Sequence, residues 1–211
     1  HNAFCVDFST WGPVTDSINA DMFRRNCDLR SNTSYLITDM PVRPYMHDPA
    51  AAVTYINSLG PNWGTSIDLG VRMGALFFDP SIRPAISHLI NIEQVSNIFQ
   101  GRPLAWEDRS IRAMILMTDG ENCCFHPGHA ATRKATVEIQ DADTIATCNA
   151  LKDQGVIIYG VAFEAPPGGE ALMAACASSE GHYFNSSGTE VINAFRAIAT
   201  HVQTEALRLV E

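Results

Sequence analysis

No apolar run in this 211-residue sequence approaches the roughly 20 residues needed to cross a bilayer, and no signal peptide opens it. Basic residues are outnumbered: 14 Lys and Arg stand against 23 Asp and Glu, for a net charge of −9. That balance argues against an electrostatic nucleic-acid surface. It is compatible with cation binding without demonstrating it. The sequence also lacks a Gly-x-Ser-x-Gly elbow and a phosphate-binding glycine loop, so serine-hydrolase and nucleotide chemistry have no visible machinery. We therefore expect a protein that is not an enzyme. Internal repeats and linker-like composition are absent too, so residues 1–211 read as a single domain. The chain opens abruptly at His1-Asn2-Ala3, close to an apolar stretch, and reads as a processed form or a fragment.

The apolar fraction is 46%, enough for a real core. Six cysteines (Cys5, Cys27, Cys123, Cys124, Cys148 and Cys176) make an even count, which leans toward disulfides and an oxidising compartment. The plainer alternative is six reduced thiols packed as small apolar side chains.

Two continuous apolar runs, residues 111–117 and 156–163, predict strands buried on both faces, as in a parallel sheet. Residues 182–184 predict a short edge strand. Helices are expected between and after them. Residues 141–154 have an acidic start and Gly155 as a stop, and residues 189–207 carry an apolar face at helical spacing. Upstream, Gly64-Thr65-Ser66-Ile67-Asp68 looks like a helix start in which Thr65 or Ser66 caps and Asp68 completes a capping box. That helix should run to about Phe78, before Asp79-Pro80. Residues 50–59 predict another short helix. Residues 1–48 are less regular, with a strand expected over 4–8 and a long loop over 9–34. Residues 81–110 read as a second irregular stretch, an insertion before the central strand. Strands alternating with helices in this way indicate a doubly wound, mostly parallel α/β sheet.

In such a sheet, ligands bind at the carboxyl ends of the strands. Asp119 falls at one of these ends. A carboxylate there is a good hard-cation ligand, direct or through water, though an Asp-Gly turn needs no ligand to explain it. The Thr65 hydroxyl is a second candidate ligand, with N-capping as its plainer role.

Together these segments resemble the von Willebrand A domain, most nearly the A-type domains of Tad-type pilus assembly proteins of bacteria. The resemblance rests on Gly64-Thr65-Ser66-Ile67-Asp68-Leu69-Gly70, on the Thr118-Asp119-Gly120-Glu121-Asn122 turn with the apolar run before it, and on Gly155-Val156-Ile157-Ile158-Tyr159-Gly160. It covers roughly residues 50–205, and residues 3–48 weakly. It implies a Rossmann-like sheet flanked by helices and a metal-ion-dependent adhesion site. The implied cation is Mg2+ (or Mn2+ or Ca2+), with a carboxylate from a protein partner completing its shell. It also implies an extracytoplasmic location, the periplasm or the bacterial cell surface, and a role in pilus assembly or surface attachment.

Three loops supply the metal site in that family. Thr65 matches the threonine loop and Asp119 the aspartate loop. The Asp-x-Ser-x-Ser loop has only a near match, Asp7-Phe8-Ser9-Thr10-Trp11, with no amphipathic helix after it. Asp7 and Ser9 are the candidate ligands on that alignment. On the alternative, residues 4–10 correspond to the family's second strand. The first strand, first metal loop and first helix are then absent from this chain, with any membrane anchor in a missing N-terminal part. We favour the alternative, and a metal-free scaffold domain of an envelope assembly is its natural extension. The resemblance also places Cys148 on the helix before one strand and Cys176 on the segment after it. A bridge between them is geometrically possible while connectivity stays open. It would close a loop worth about 3–4 kcal/mol.

The segment Cys123-Cys124-Phe125-His126-Pro127-Gly128-His129 offers a different chemistry, zinc binding, although adjacent cysteines rarely place both sulfurs on one tetrahedral ion. The plainer reading is a surface loop with one or both cysteines bridged to Cys27 or Cys5. His47, His88 and His201 are isolated, and more simply sit at surfaces or satisfy core contacts than act as bases.

Overall fold

A computed structural model of the chain describes residues 4–6, 23–25, 42–59, 65–123 and 136–208. Its centre is a three-stranded parallel sheet, β3 (Arg112–Thr118), β4 (Val156–Phe163) and β5 (Tyr183–Ser186), in the order β3-β4-β5. The register pairs Met114 with Ile158, Thr118 with Ala162, and Val161 with Phe184. Parallel neighbours require helical crossovers, and the chain supplies them: α4 (Val137–Asp153) joins β3 to β4, and α5 (Pro167–Cys176) joins β4 to β5. Both crossovers lie on one face together with α2 (Ile67–Leu76). The other face is covered by α6 (Glu190–Arg208). Helices on both faces of a parallel sheet make this a doubly wound α/β fold.

The reason is written in β4. It has no polar residue apart from the Tyr159 hydroxyl, so both of its faces must be covered. Val156, Ile158 and Ala162 pack against α2, α4 and α5, while Tyr159 and Val161 pack against α6. Gly160 is required by close approach: a Cβ there would overlap the Met173 carbonyl of α5. Gly155, at φ +79°, ends α4 in the left-handed conformation that glycine adopts most readily. Cys148 of α4 and Cys176 of α5 form a disulfide with Cα atoms 5.3 Å apart, tying the two crossover helices together beside β4.

A second, smaller core precedes β3. Here α3 (Arg83–Asn91) and its flanking turns bury Ile82, Ile86 and Val95 against Leu76 of α2. The expected irregular stretch 81–110 therefore contains a helix. Pro84 sits in its first turn, where a missing N–H costs nothing. The helix expected over 50–59 is α1 (Pro49–Asn57), capped by Asp48, whose Oδ1 accepts from the Ala50 N–H at 2.9 Å. At the N-terminus, β1 (Phe4–Val6) pairs antiparallel with β2 (Phe23–Arg25), apart from the parallel sheet. The long loop expected over 9–34 thus includes a short strand. Among the described residues, no helix is long and apolar enough to cross a membrane.

Candidate functional site

The carboxyl end of β3 carries Asp119, and the turn that follows the strand is approached by Thr65. Immediately after the strand, Thr118 Oγ1 accepts from the Gly120 N–H and donates to the Gly120 carbonyl, both at 3.1 Å. This closes a tight turn and leaves the Asp119 carboxylate exposed at its tip. Thr65 reaches the same turn from a distant part of the chain. Its hydroxyl lies 3.2 Å from where a Cβ on Gly120 would stand, so glycine is what admits it. The backbone fixes that approach, because the Cys123 N–H donates to the Thr65 carbonyl at 3.1 Å and the Thr65 N–H points at Cys123 Sγ at 3.3 Å.

The third wall is the start of α5. Gly169 packs so closely on the Gly120 carbonyl that any side chain there would collide with it. Gly168 likewise makes room for the Glu121 carboxylate. A carboxylate at a helix N-terminus is stabilised by the exposed N–H groups and the helix dipole, which gives Glu121 an anchoring role beside Asp119. Glu164, at the end of β4, is committed elsewhere: its carboxylate accepts from the Gly188 N–H at 2.9 Å.

Beneath the turn lies a buried polar layer that sequence reasoning missed. Asn122 is 1% exposed; its Oδ1 accepts from the Ile67 N–H at 2.7 Å and its Nδ2 donates to Asp141 at 2.8 Å. Asn122 thus holds the first turn of α2, the β3 loop and α4 in one register. Deeper between α2 and α4, Asp68 accepts from Gln140 at 3.3 Å, and Arg72 pairs with Asp143 at 3.1 Å. The expected capping box does not form. Ser66, not Thr65, is the N-cap of α2 and makes no side-chain cap hydrogen bond, and Asp68 is turned into the interior. The only signal available in the sequence was the recurrence of Asp68 and Arg72 at i, i+4 on the face that also carries Val71 and Ala75. Asp141 and Asp143, expected as the acidic start of their helix, are instead interior positions of α4 with partners across the site.

Asp7 and Ser9 lie outside the described residues, as do Cys124, His126 and His129. Cys123 is disulfide-bonded, so its sulfur is not a thiolate ligand for zinc while that bridge stands. Its expected partners, Cys5 or Cys27, are not described at the side-chain level. Among the described residues, no three His, Cys, Asp or Glu side chains are gathered as a metal-holding group. Thr65 and Asp119 contribute a hydroxyl and a carboxylate, oxygen donors of the kind that hard divalent cations take. Comparison with protein-family models, with curated proteins and with solved structures finds no match to this chain.

Proposed function

We propose that this chain is a von Willebrand A-type domain that binds a protein partner through a divalent cation at the carboxyl end of β3, and that it is not an enzyme. The observation that carries the reading is the approach of Thr65 to the Asp119-Gly120 turn across 53 intervening positions of sequence. Nothing in the packing of α2 requires a hydroxyl at Thr65, since Ser66 occupies the N-cap. A hydrogen-bonded turn beside a buried polar layer is the kind of support that keeps cation ligands in place. Thr65 and Asp119 would hold Mg2+, or Mn2+ or Ca2+, directly or through water. The ion would supply an electrophilic position for a partner's carboxylate. Asp7 and Ser9 are the further ligands on the alignment that retains the first metal loop.

The Cys148–Cys176 bridge supports an oxidising, extracytoplasmic setting. With the sequence resemblance, this points to the periplasm or the bacterial surface, and to pilus assembly or surface attachment. The test is calorimetric titration with Mg2+ and Mn2+. Saturable binding that Asp119→Ala abolishes, with an unchanged melting temperature, is the expected result. Unchanged affinity in that variant sinks the assignment, and absence of binding in the parent chain favours the metal-free scaffold.

A further inference from the structure

At the opposite end of β3 from Asp119, the smaller core opens into a cleft of about 500 Å3. Tyr45 organises its rings. The Tyr45 hydroxyl donates to the Phe77 carbonyl at the end of α2, at 2.6 Å. Its ring stacks on Phe99 with centroids 5.2 Å apart, and meets Phe77 edge-on at 5.9 Å. Ile98 also lines the cleft and is 58% exposed. Two arginines line it, Arg102 and Arg112, and among the described residues no acidic side chain does. Arg112 is occupied: its guanidinium donates to the Ala105 carbonyl and lies 5.2 Å from the centre of the Trp106 ring. The loop that bears Arg102 is held by other groups. The Arg102 N–H donates to the Phe99 carbonyl at 3.0 Å, and Arg83 Nε donates to the Pro103 carbonyl at 2.7 Å. Among the described residues, the Arg102 guanidinium itself has no hydrogen-bond or ion-pair partner. Its charge reaches Tyr45, whose pKa burial pushes up to about 12 while Arg102 acts the other way.

We propose that this cleft takes the carboxyl-terminal residue of a protein partner, with an aromatic or large aliphatic side chain against the Tyr45–Phe99 stack and the terminal carboxylate on Arg102. The rings offer a rigid apolar surface that loses little conformational entropy when it is covered. A guanidinium presents a fork of N–H donors that matches a carboxylate, and this one is not committed elsewhere. Charge complementarity selects the anion. A chain of net charge −9 repels anions in general, so a carboxylate is drawn only to a place where arginine stands without acidic neighbours in the lining. The volume accommodates one large side chain with its terminal carboxylate. Arg102 and Ile98 are both exposed, so the cleft is open where the rest of the partner would lead away. That opening suits a chain end better than a small molecule, whose sites enclose most of the ligand. Arg112 and Thr118 mark the two ends of β3, about 20 Å apart at the rise of a strand. The cleft is therefore separate from the Asp119 turn and does not depend on a cation there.

The experiment is fluorescence polarisation with the full chain in EDTA, which keeps cations out of the reading. The probe is a labelled hexapeptide of glycine and serine ending in phenylalanine, prepared as the free acid and as the carboxyl-terminal amide. The acid is expected to bind, and the amide to bind at least about tenfold more weakly. Arg102→Gln, at an exposed position and with an unchanged melting temperature, should bring acid and amide level. Asp119→Ala should alter neither. No binding of the acid, equal binding of acid and amide, or an acid preference that survives Arg102→Gln overturns the proposal. So does an acid preference lost in Asp119→Ala, which would move the carboxylate to the other end of β3. Free 3-phenylpropionate that displaces the probe at lower concentration than the unlabelled peptide overturns it too, in favour of a small acid as the ligand.

Discussion

The two faces of the parallel sheet are built differently. One is closed by α2, α4 and α5, which are pinned by the Cys148–Cys176 bridge and joined by buried polar side chains. Among the described residues the other is covered by α6 only, and β3 feels the difference along its length. Met114, facing the closed side, is 7% exposed, whereas Ile115 and Met117, facing the α6 side, are each 44% exposed. Central β4, covered on both sides, shows no such contrast. Rigidity therefore gathers on the closed face, which carries the Thr65–Asp119 turn. The α6 face is held by one apolar contact set and by the Tyr159–His201 hydrogen bond. A cation site that depends on preorganised ligands is expected on the first face, and a helix whose attachment can be adjusted is expected on the second.

Core substitutions should break this comparison most strongly. Ile158, fully buried against the closed face, is expected to cost close to 5 kcal/mol when changed to Ala, at the upper end of the about 2–5 kcal/mol seen for such truncations. Met117→Ala, on the open side of β3, should cost less than about 1 kcal/mol. Denaturant midpoints at constant slope measure both. Similar losses at the two positions would mean that the α6 side of β3 is covered after all.

Next in size is the disulfide. Replacing Cys148 and Cys176 together with Ala should remove about 3–4 kcal/mol, because the bridge closes a loop with a sequence separation of 28. Hydrogen exchange should then rise in α4 and α5 before it rises in α6. Loosening that begins in α6 instead would reverse the ranking of the faces.

The smallest effect sharpens the view of the open face. The fold keeps the pKa of His182 below 6.5, chiefly through burial and secondly through His201. Above 6.5 both folded and unfolded chains carry the neutral ring, and the contribution to stability is complete. As pH falls below 6.5 the unfolded chain takes up its proton first, so stability declines until the pH passes the folded value. In metal-free buffer, His182→Gln should flatten the melting temperature between pH 7 and pH 5 relative to the parent. An identical pH dependence in parent and variant would assign the acid sensitivity elsewhere.

Much of the closed face was legible in the sequence because its strands are simple. The run at 156–163 matches β4 residue for residue, and the run at 111–117 misses β3 by one position. The helix expected over 189–207 is α6, which buries Ala194 and Ile198 and leaves Ile192 and Phe195 of the expected apolar face exposed. By contrast, α4 was legible only from residue 141, although it begins at Val137. The face it buries includes Gln140, Thr144 and Thr147, whose polarity hides the helical period. The threonine hydroxyls are satisfied within the helix, donating to the Gln140 and Asp143 carbonyls. Likewise α3 was masked by prolines that read as breaks but serve as first-turn residues. Of the candidate site, Thr65 and Asp119 were legible as types at suggestive places. What their partners would be was not, because Asn122, Asp68, Arg72 and Asp143 form contacts across long separations that no local pattern records. His201 looked isolated for the same reason, since its neighbours Tyr159 and His182 come from other elements.

The central claim is that a hard divalent cation sits at the carboxyl end of β3, and paramagnetic broadening by Mn2+ tests it in place. With the amide signals assigned, substoichiometric Mn2+ should erase those of Thr65, Asp119, Gly120 and Glu121 first, leave the α6 face sharp, and be displaced by Mg2+. Broadening that spares these four residues, or that persists in Asp119→Ala, would contradict the account.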